Sequence, residues 1–113
     1  MNIERFEGTG RMSRCVKCNG MIYLRGQTDT TAADIQGQTK NVLAKVEDLL
    51  NKYGSDKQHM LAATIYVKTM DDFAAMNEVY ATFFTSNPPA RSAFQVGKLP
   101  KDGMVEIETI AVK

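Results

Sequence analysis

The chain has 113 residues, with 14 lysines and arginines against 13 aspartates and glutamates, so its formal net charge is +1 at pH 7. This length fits a single domain over residues 1–113, and the nearly balanced charge gives no electrostatic argument for a nucleic-acid partner. No apolar run reaches the length of a membrane-spanning helix. The charged residues Glu4, Arg5 and Glu7 are atypical of a secretory signal peptide, so we expect neither secretion by that route nor a membrane partner.

Cys15 and Cys18 form one C-x-x-C pair. A zinc site needs about four ligands, and the sequence offers only His59 as a further soft candidate. A thioredoxin-like pair would open a helix, whereas here Asn19-Gly20, a hairpin turn signal, follows. We therefore interpret both cysteines as small apolar strand residues and predict no metal site. Because no disulfide framework is present, we expect the protein to be cytoplasmic.

The first half of the chain predicts three strands and a helix. The strands cover residues 2–6, 12–18 and 21–27, and Asn19-Gly20 joins the last two as a hairpin. Apolar residues then recur at spacings of three and four, which predicts an amphipathic helix over residues 32–53. Thr30 and Thr31 are its N-cap candidates, and Gly54 stands where the helix would end.

The second half predicts a strand over residues 60–68, a helix over 71–85, and strands over 91–98 and 104–112. Leu61, Ala63, Ile65 and Val67 are expected to share one face of their strand. The order β-β-β-α-β-α-β-β indicates a two-layer α+β domain with both helices on one face of a mixed sheet. The other face would be open in a monomer, and an open face that carries apolar residues indicates assembly. Its expected occupants include Tyr66 and either Phe94 or Val96.

Two features have the chemistry of a site. Arg91 follows Pro88-Pro89-Ala90, so a stiff backbone aims a side chain that can clasp a carboxylate with two parallel hydrogen bonds. Glu106 and Glu108 alternate with apolar residues, so both project from one face, where either can position water or act as a general base. The alternative for all three is a solvated charge on a strand, and neither pattern alone identifies an enzyme.

Taken together, the segments resemble the reactive intermediate deaminase family, also called the RidA or endoribonuclease L-PSP-like family. The resemblance covers nearly the whole chain. Supporting matches are Gly26-Gln27 at the end of the hairpin and, at the second helix, Asp72-Phe73-Ala74 and Met76-Asn77, continued by Tyr80 and Phe83-Phe84. The strongest match is a C-terminal signature made of Pro89-Ala90-Arg91-Ser92, Leu99-Pro100-Lys101-Asp102, Val105-Glu106-Ile107-Glu108 and Ile110-Ala111-Val112.

The resemblance implies a chorismate-mutase-like α+β fold of the bacillus type, assembled as a homotrimer with ligand clefts between neighbouring subunits. It also implies hydrolysis of enamine and imine intermediates, such as 2-aminoacrylate-like compounds released by pyridoxal-phosphate enzymes, to 2-oxo acids and ammonia. No metal or organic cofactor is implied. By the same resemblance, Arg91 holds the substrate carboxylate, Glu106 positions or activates water, and Gly26 offers backbone polar groups at the cleft wall.

Three substrate-binding positions depart from the family pattern. Met12 aligns with a tyrosine that is common in the deaminase branch, Arg25 replaces a small residue before the family glycine, and Ala93 replaces a cysteine. The loop before Arg91 and the N-terminus also look shortened, which indicates a side branch of the family. Arg25 and Arg14 either make the pocket more cationic or pair with Glu106 and Glu108.

Three functions compete at this stage. The first is an imine or enamine deaminase, which the retention of Arg91 and Glu106 favours. The second is a non-catalytic trimer that binds small carboxylates or a protein partner, which the missing cleft tyrosine at Met12 favours. The third is ribonuclease activity or translation inhibition, and both the nearly balanced charge and the single histidine, His59, argue against it.

Overall fold

The computed structural model describes residues 2–113 as one six-stranded sheet with two helices, as predicted. The strand order is β1-β2-β3-β6-β4-β5, and only the β4–β5 pair is parallel. The predicted α+β class and element order are therefore confirmed. The elements are β1 (Ile3–Gly8), β2 (Ser13–Cys18), β3 (Met21–Gln27), α1 (Ile35–Lys52), β4 (Met60–Val67), α2 (Phe73–Phe83), β5 (Ala90–Gln95) and β6 (Val105–Val112).

The pairing of β4 with β6 divides the sheet into two faces. Ile65 pairs with Ile107, and both side chains are buried beneath the helices. Tyr66 pairs with Glu106 on the opposite face, which the helices leave open. Alternation along both strands extends this division, so one face of the sheet is apolar and the other carries carboxylates.

The two helices pack together over the apolar face. Helix α1 contributes Val42, Val46 and Leu50, which are completely buried, and α2 contributes Met76. Burial of this apolar surface is the main force that holds the two layers together. Within residues 2–113, no helix combines the length and the hydrophobicity needed to cross a membrane.

The predicted hairpin forms between β2 and β3. Asn19 and Gly20 both have positive φ angles, 52° and 77°, which match the two-residue turn that follows the right-handed twist of the strands. The register pairs Cys18 with Met21. Cys15 is buried and Cys18 is half-buried, and their strand positions place them on opposite faces of the sheet.

The prediction for the start of α1 is wrong. Asp34 is the N-cap, and its carboxylate accepts a hydrogen bond of 2.7 Å from the backbone N–H of Gly37. The predicted cap Thr31 instead donates its hydroxyl to Asp29 in the preceding turn. Serine, threonine, aspartate and asparagine are all good caps, so composition alone does not choose among them. Gly54 follows the end of α1 with a φ of 89°, as expected.

The prediction for Leu61 is also wrong. The register of β4 against β6 shifts between Met60 and Ala62, and this irregularity changes the side-chain alternation. Met60 is buried as a result, whereas Leu61 is 45% exposed. Ala63, Ile65 and Val67 do lie in the core, as predicted.

The open face carries aromatic side chains at the end of the sheet where β4 and β5 pair. Tyr66 and Phe94 meet edge to face, with ring centroids 5.1 Å apart. Phe94 remains 46% exposed. Val96 lies beyond the end of β5, so of the two expected alternatives Phe94 takes the place on the open face. This exposed apolar surface is typical of a face that another chain covers.

The corrected helix start can be tested with two substitutions. We expect Asp34→Ala to lower the free energy of unfolding by about 1 kcal/mol, because the Gly37 N–H loses its partner. Thr30→Ala, at a predicted cap that lies outside the helix, is expected to change it by less than about 0.5 kcal/mol. Urea denaturation at one protein concentration measures both, and equal losses would contradict the assignment of the cap.

Candidate functional site

Glu106 lines a cavity of about 410 Å³ beside the irregular pairing of β3 with β6 in the middle of the sheet. We call it the Glu106 cavity. Met12, Arg25 and Gly26 line the same space, so four of the residues predicted for the site come together here. Thr28, Pro100 and Lys101 complete the wall. The cavity therefore combines a carboxylate with basic side chains and exposed backbone.

The carboxylate of Glu106 sits in an environment that favours its protonated form. Partial burial raises the pKa of Glu106 first, and the negative charge of Glu108 raises it further, whereas Arg25 opposes both effects. Glu108 lies on the same face of β6, as predicted, and accepts a hydrogen bond of 3.3 Å from the hydroxyl of Tyr66. A carboxylate whose pKa is raised in a cavity is a better proton acceptor than an ordinary surface glutamate.

Gly26 is required for the position of the Glu106 carboxyl group. A Cβ atom at position 26 would lie 2.7 Å from the Cδ of Glu106, closer than side chains pack. The register of β3 against β6 shifts between Leu24 and Gln27, which brings the glycine backbone against the glutamate. Absence of a side chain at Gly26 thus leaves room for the carboxyl group of Glu106.

The two arginines of the hairpin have different partners. Arg14 forms an ion pair of 3.1 Å with Glu7, which also accepts hydrogen bonds from Lys52 and Tyr53. Arg25 donates through Nη1 to the sulfur of Met12 at 3.2 Å, and its Nε is buried without a partner within residues 2–113. Neither arginine pairs with Glu106 or Glu108, so the alternative of ion pairs across the sheet is wrong.

Arg91 lies on β5 against the side of α2. Its Nη1 donates a hydrogen bond of 2.7 Å to the side-chain oxygen of Asn77. Its guanidinium group stacks over the rings of Tyr80 and Phe73, at 4.7 and 5.7 Å from their centroids. Within the described residues Arg91 makes no ion pair, so neutral partners orient a guanidinium whose charge stays available.

The register places Arg91 and Glu106 on opposite faces of the sheet. Arg91 pairs with Ala63, a residue of the helix-covered face, whereas Glu106 pairs with Tyr66 on the open face. Ala93 follows Arg91 on the helix-covered face and packs partly buried against the core. Arg91 and Ala93 are thus separated from the Glu106 cavity within a single chain.

The sequence analysis missed the residues that orient or surround these groups. Asn77 and Tyr80 lie three positions apart on α2, a spacing that places both beside Arg91 on one helix face. Lys101 reaches the Glu106 cavity from the loop before β6, where it has a φ of 55°. Both features belong to segments that carried the family resemblance, but their roles depend on contacts that no local pattern indicates.

The chain belongs to the endoribonuclease L-PSP family, whose model matches residues 2–113, and the predicted family is confirmed. It is 38% identical over 111 residues to a RutC family protein of Pyrococcus horikoshii, covering 92% of this chain and 88% of that protein. It is 37% identical over 111 residues to the 2-iminobutanoate/2-iminopropanoate deaminase of Capra hircus, covering 92% of this chain and 81% of that protein.

Solved structures support the same assignment. A YjgF family protein of Neisseria meningitidis superimposes with a TM-score of 0.94 at 37% sequence identity, covering 100% of this chain and 96% of that chain. Yeast Mmf1 superimposes with a TM-score of 0.93 at 25% identity, covering 99% of both chains. The fold is therefore that of the family, including the placement of helices on one face of a mixed sheet.

The close approach of Gly26 and Glu106 predicts the behaviour of two variants. We expect Gly26→Ala to lower the free energy of unfolding by about 1 kcal/mol, because the new methyl group displaces the flexible Glu106 side chain from its position in the cavity. In a Glu106→Ala background the same substitution is expected to cost less than about 0.5 kcal/mol, since the carboxyl group is gone. A double-mutant cycle by denaturant unfolding measures the coupling, and additive effects would contradict the contact.

The charges around Glu106 predict opposite shifts of its pKa. Glu108→Gln removes a like charge and should lower the pKa of Glu106, whereas Arg25→Gln removes an opposite charge and should raise it. Titration of the side-chain carboxyl carbon by NMR gives the pKa directly. Glu47→Gln on α1 is the control and should leave it unchanged. A pKa that moves in the same direction in Glu108→Gln and Arg25→Gln would overturn this account.

Proposed function

We propose that the protein hydrolyses reactive 2-imino acids and their enamine tautomers to 2-oxo acids and ammonia. The reaction would occur in clefts between the subunits of a homotrimer. The observation that carries the proposal is the pair of unmatched groups. Arg91 is an oriented guanidinium without a carboxylate partner within residues 2–113, and Glu106 is a half-buried carboxylate with a raised pKa. Relatives named 2-iminobutanoate/2-iminopropanoate deaminase support the reaction class.

Arg91 binds the substrate carboxylate in this proposal. Its planar guanidinium matches a carboxylate with two parallel hydrogen bonds, and Asn77 uses only one of its donors. The aromatic rings of Tyr80 and Phe73 hold the guanidinium plane without neutralising it. An imino acid bound in this way has its C2 atom fixed relative to the protein, which removes much of the entropic barrier to attack.

Glu106 activates the attacking water. Its carboxylate accepts a proton as the water oxygen adds to the imine carbon, and the resulting amine is protonated and leaves as ammonia when the C–N bond breaks. The products are one 2-oxo acid and one ammonia for each imine and water consumed. An imine carbon is already electrophilic, so the proposed mechanism uses no cofactor.

The free cysteines Cys15 and Cys18 fit a reducing compartment, and we infer that the protein acts in the cytoplasm.

Two copies of the chain are needed to complete this site. Arg91 and Glu106 occupy opposite faces of one sheet, so a single chain does not present both to one substrate. The open face is apolar around Phe94 and Tyr23, which are 46% and 42% exposed, and is suited to contact another copy. We therefore infer a cyclic trimer in which Arg91 of one subunit and Glu106 of the next line each cleft.

The second candidate is a trimer that binds small carboxylates without catalysis. Met12 favours it, because a thioether in the Glu106 cavity replaces the hydroxyl of the tyrosine that the family resemblance leads one to expect. Such a protein would retain the Arg91 clasp and bind 2-oxo acids. The absence of hydrolysis of any 2-imino acid, with 2-oxobutanoate binding retained, would favour this candidate.

Substitutions at Arg91 test the clasp. Loss of a paired, desolvated charge costs about 2–5 kcal/mol, so we expect Arg91→Ala to lower kcat/KM for 2-iminobutanoate at least about 30-fold. Arg91→Lys should also lower kcat/KM substantially, because lysine retains the positive charge but not the planar pair of hydrogen-bond donors. The assay measures ammonia release from imine that an amino-acid oxidase generates in situ. Activity at the wild-type level in both variants would refute the clasp.

Mixed trimers test the shared cleft. Arg91→Ala and Glu106→Gln are each expected to be inactive alone, whereas random co-assembly at equal amounts restores about a quarter of the clefts. Light scattering should give three times the 12.5 kDa chain mass for each protein. A monomeric mass would remove the shared cleft. Trimers that recover no activity on mixing would place both residues in the site of one subunit.

A further inference from the structure

A second cavity adjoins the Glu106 cavity. We call it the basic cavity, because Arg14, Arg25, Lys45 and Lys101 line it together with one carboxylate, Asp48. Its volume is about 340 Å³. Arg25, Thr28 and Lys101 belong to the walls of both cavities, so a ligand bound beside Glu106 has direct access to these side chains.

Two of the four basic residues already have partners within the fold. Arg14 pairs with Glu7 at 3.1 Å. Lys45 pairs with Asp29 at 3.1 Å and donates a hydrogen bond of 2.8 Å to the backbone oxygen of Thr28. Lys45 is therefore left with little unmatched charge, whereas Arg14 shares the Glu7 carboxylate with Lys52.

Arg25 and Lys101 remain unmatched. Neither forms an ion pair within residues 2–113. The Nη1 of Arg25 has only the thioether of Met12, a weak acceptor, and its Nε is buried with no acceptor in the described chain. A buried donor without an acceptor is costly to the fold, so its retention beside a cavity is typical of a group that binds a ligand.

We propose that Arg25 and Lys101 form a second anion subsite, which binds the side-chain carboxylate of an acidic imino acid. The inference rests on the proposed function, in which Arg91 of the neighbouring subunit holds the carboxylate next to the imine. The preferred substrates are then the imines of dicarboxylic amino acids.

The charge at the site supports a substrate with two negative groups. Arg91, Arg25 and Lys101 form no ion pair within the described residues. Glu106 lines the Glu106 cavity, and Asp48, the carboxylate of the basic cavity, forms no ion pair with Arg25 or Lys101. Glu108 lines neither cavity and is hydrogen-bonded to Tyr66. A substrate with a single carboxylate would leave Arg25 and Lys101 unmatched, whereas a dicarboxylate provides an acceptor for both ends of the site.

The test compares two imines generated in situ by amino-acid oxidases, 2-iminoglutarate from glutamate and 2-iminopropanoate from alanine. We expect wild-type kcat/KM to favour 2-iminoglutarate at least about tenfold. Arg25→Met and Lys101→Met should each lower this ratio about tenfold, because each removes one charge from the subsite. Lys40→Met, at an exposed position on α1 that lines neither cavity, is the control and should retain the wild-type ratio. A ratio that is unchanged in Arg25→Met and Lys101→Met would overturn the subsite.

Calorimetry with 2-oxoglutarate and 2-oxobutanoate separates the subsite from the reaction. Tighter wild-type binding of 2-oxoglutarate that is lost in Arg25→Met supports the subsite, even if no imine is hydrolysed and the proposed function fails. Equal binding of the two 2-oxo acids overturns the subsite. If 2-iminopropanoate is hydrolysed at least as efficiently as 2-iminoglutarate, the subsite fails while the deaminase function stands.

Discussion

The register of β6 within the sheet is the constraint on which both the core and the site depend. Val105 and Ile107 are completely buried beneath the helices, and Glu106 lies between them on the opposite face. A shift by one residue would exchange the faces and place two carboxylates in the core, where unpaired charge is very costly. The same alternation that buries the aliphatic side chains therefore delivers Glu106 to its cavity.

The basic side chains near the site fall into two groups. Arg14 forms an ion pair with Glu7, and Lys45 forms one with Asp29, so these two pairs join the hairpin and α1 to neighbouring segments. Arg91 and Arg25 contact an amide oxygen, aromatic rings and a thioether, which orient a guanidinium without cancelling its charge. Of these two guanidinium groups, only the Nε of Arg25 is buried without an acceptor in the described chain, which is costly to the fold unless a ligand supplies the missing partner.

The fold was largely predictable because its signals are local. Asn19-Gly20 defined the hairpin, and the spacing of Val42, Val46 and Leu50 defined the buried face of α1. The errors occurred where several neighbouring residues could each cap a helix, and where a shift in strand register interrupts the alternation of side chains between the two faces of the sheet. Asp34 and the threonines before it are all acceptable caps, although aspartate is the stronger one, and the irregular register near Leu61 has no sequence signal.

The site was less accessible from the sequence. Arg91 and Glu106 stood out by pattern, but only the family resemblance separated them from ordinary strand charges. Arg91 and Glu106 lie on opposite faces of the sheet because of the way β5 and β6 pair with β4, and this pairing is a long-range property that local sequence does not indicate. Asn77 orients Arg91 across 14 positions of sequence, and no periodicity within either segment indicates that contact.

The packing of Gly26 against Glu106 also has a consequence for how this family diversifies. The glycine is required because a long acidic side chain occupies the space that its Cβ would fill. A lineage that shortens the side chain at position 106 also releases the steric constraint on position 26. The two positions are therefore expected to covary among homologues. A side chain in place of the glycine would then mark sequences in which position 106 no longer carries a long carboxylate.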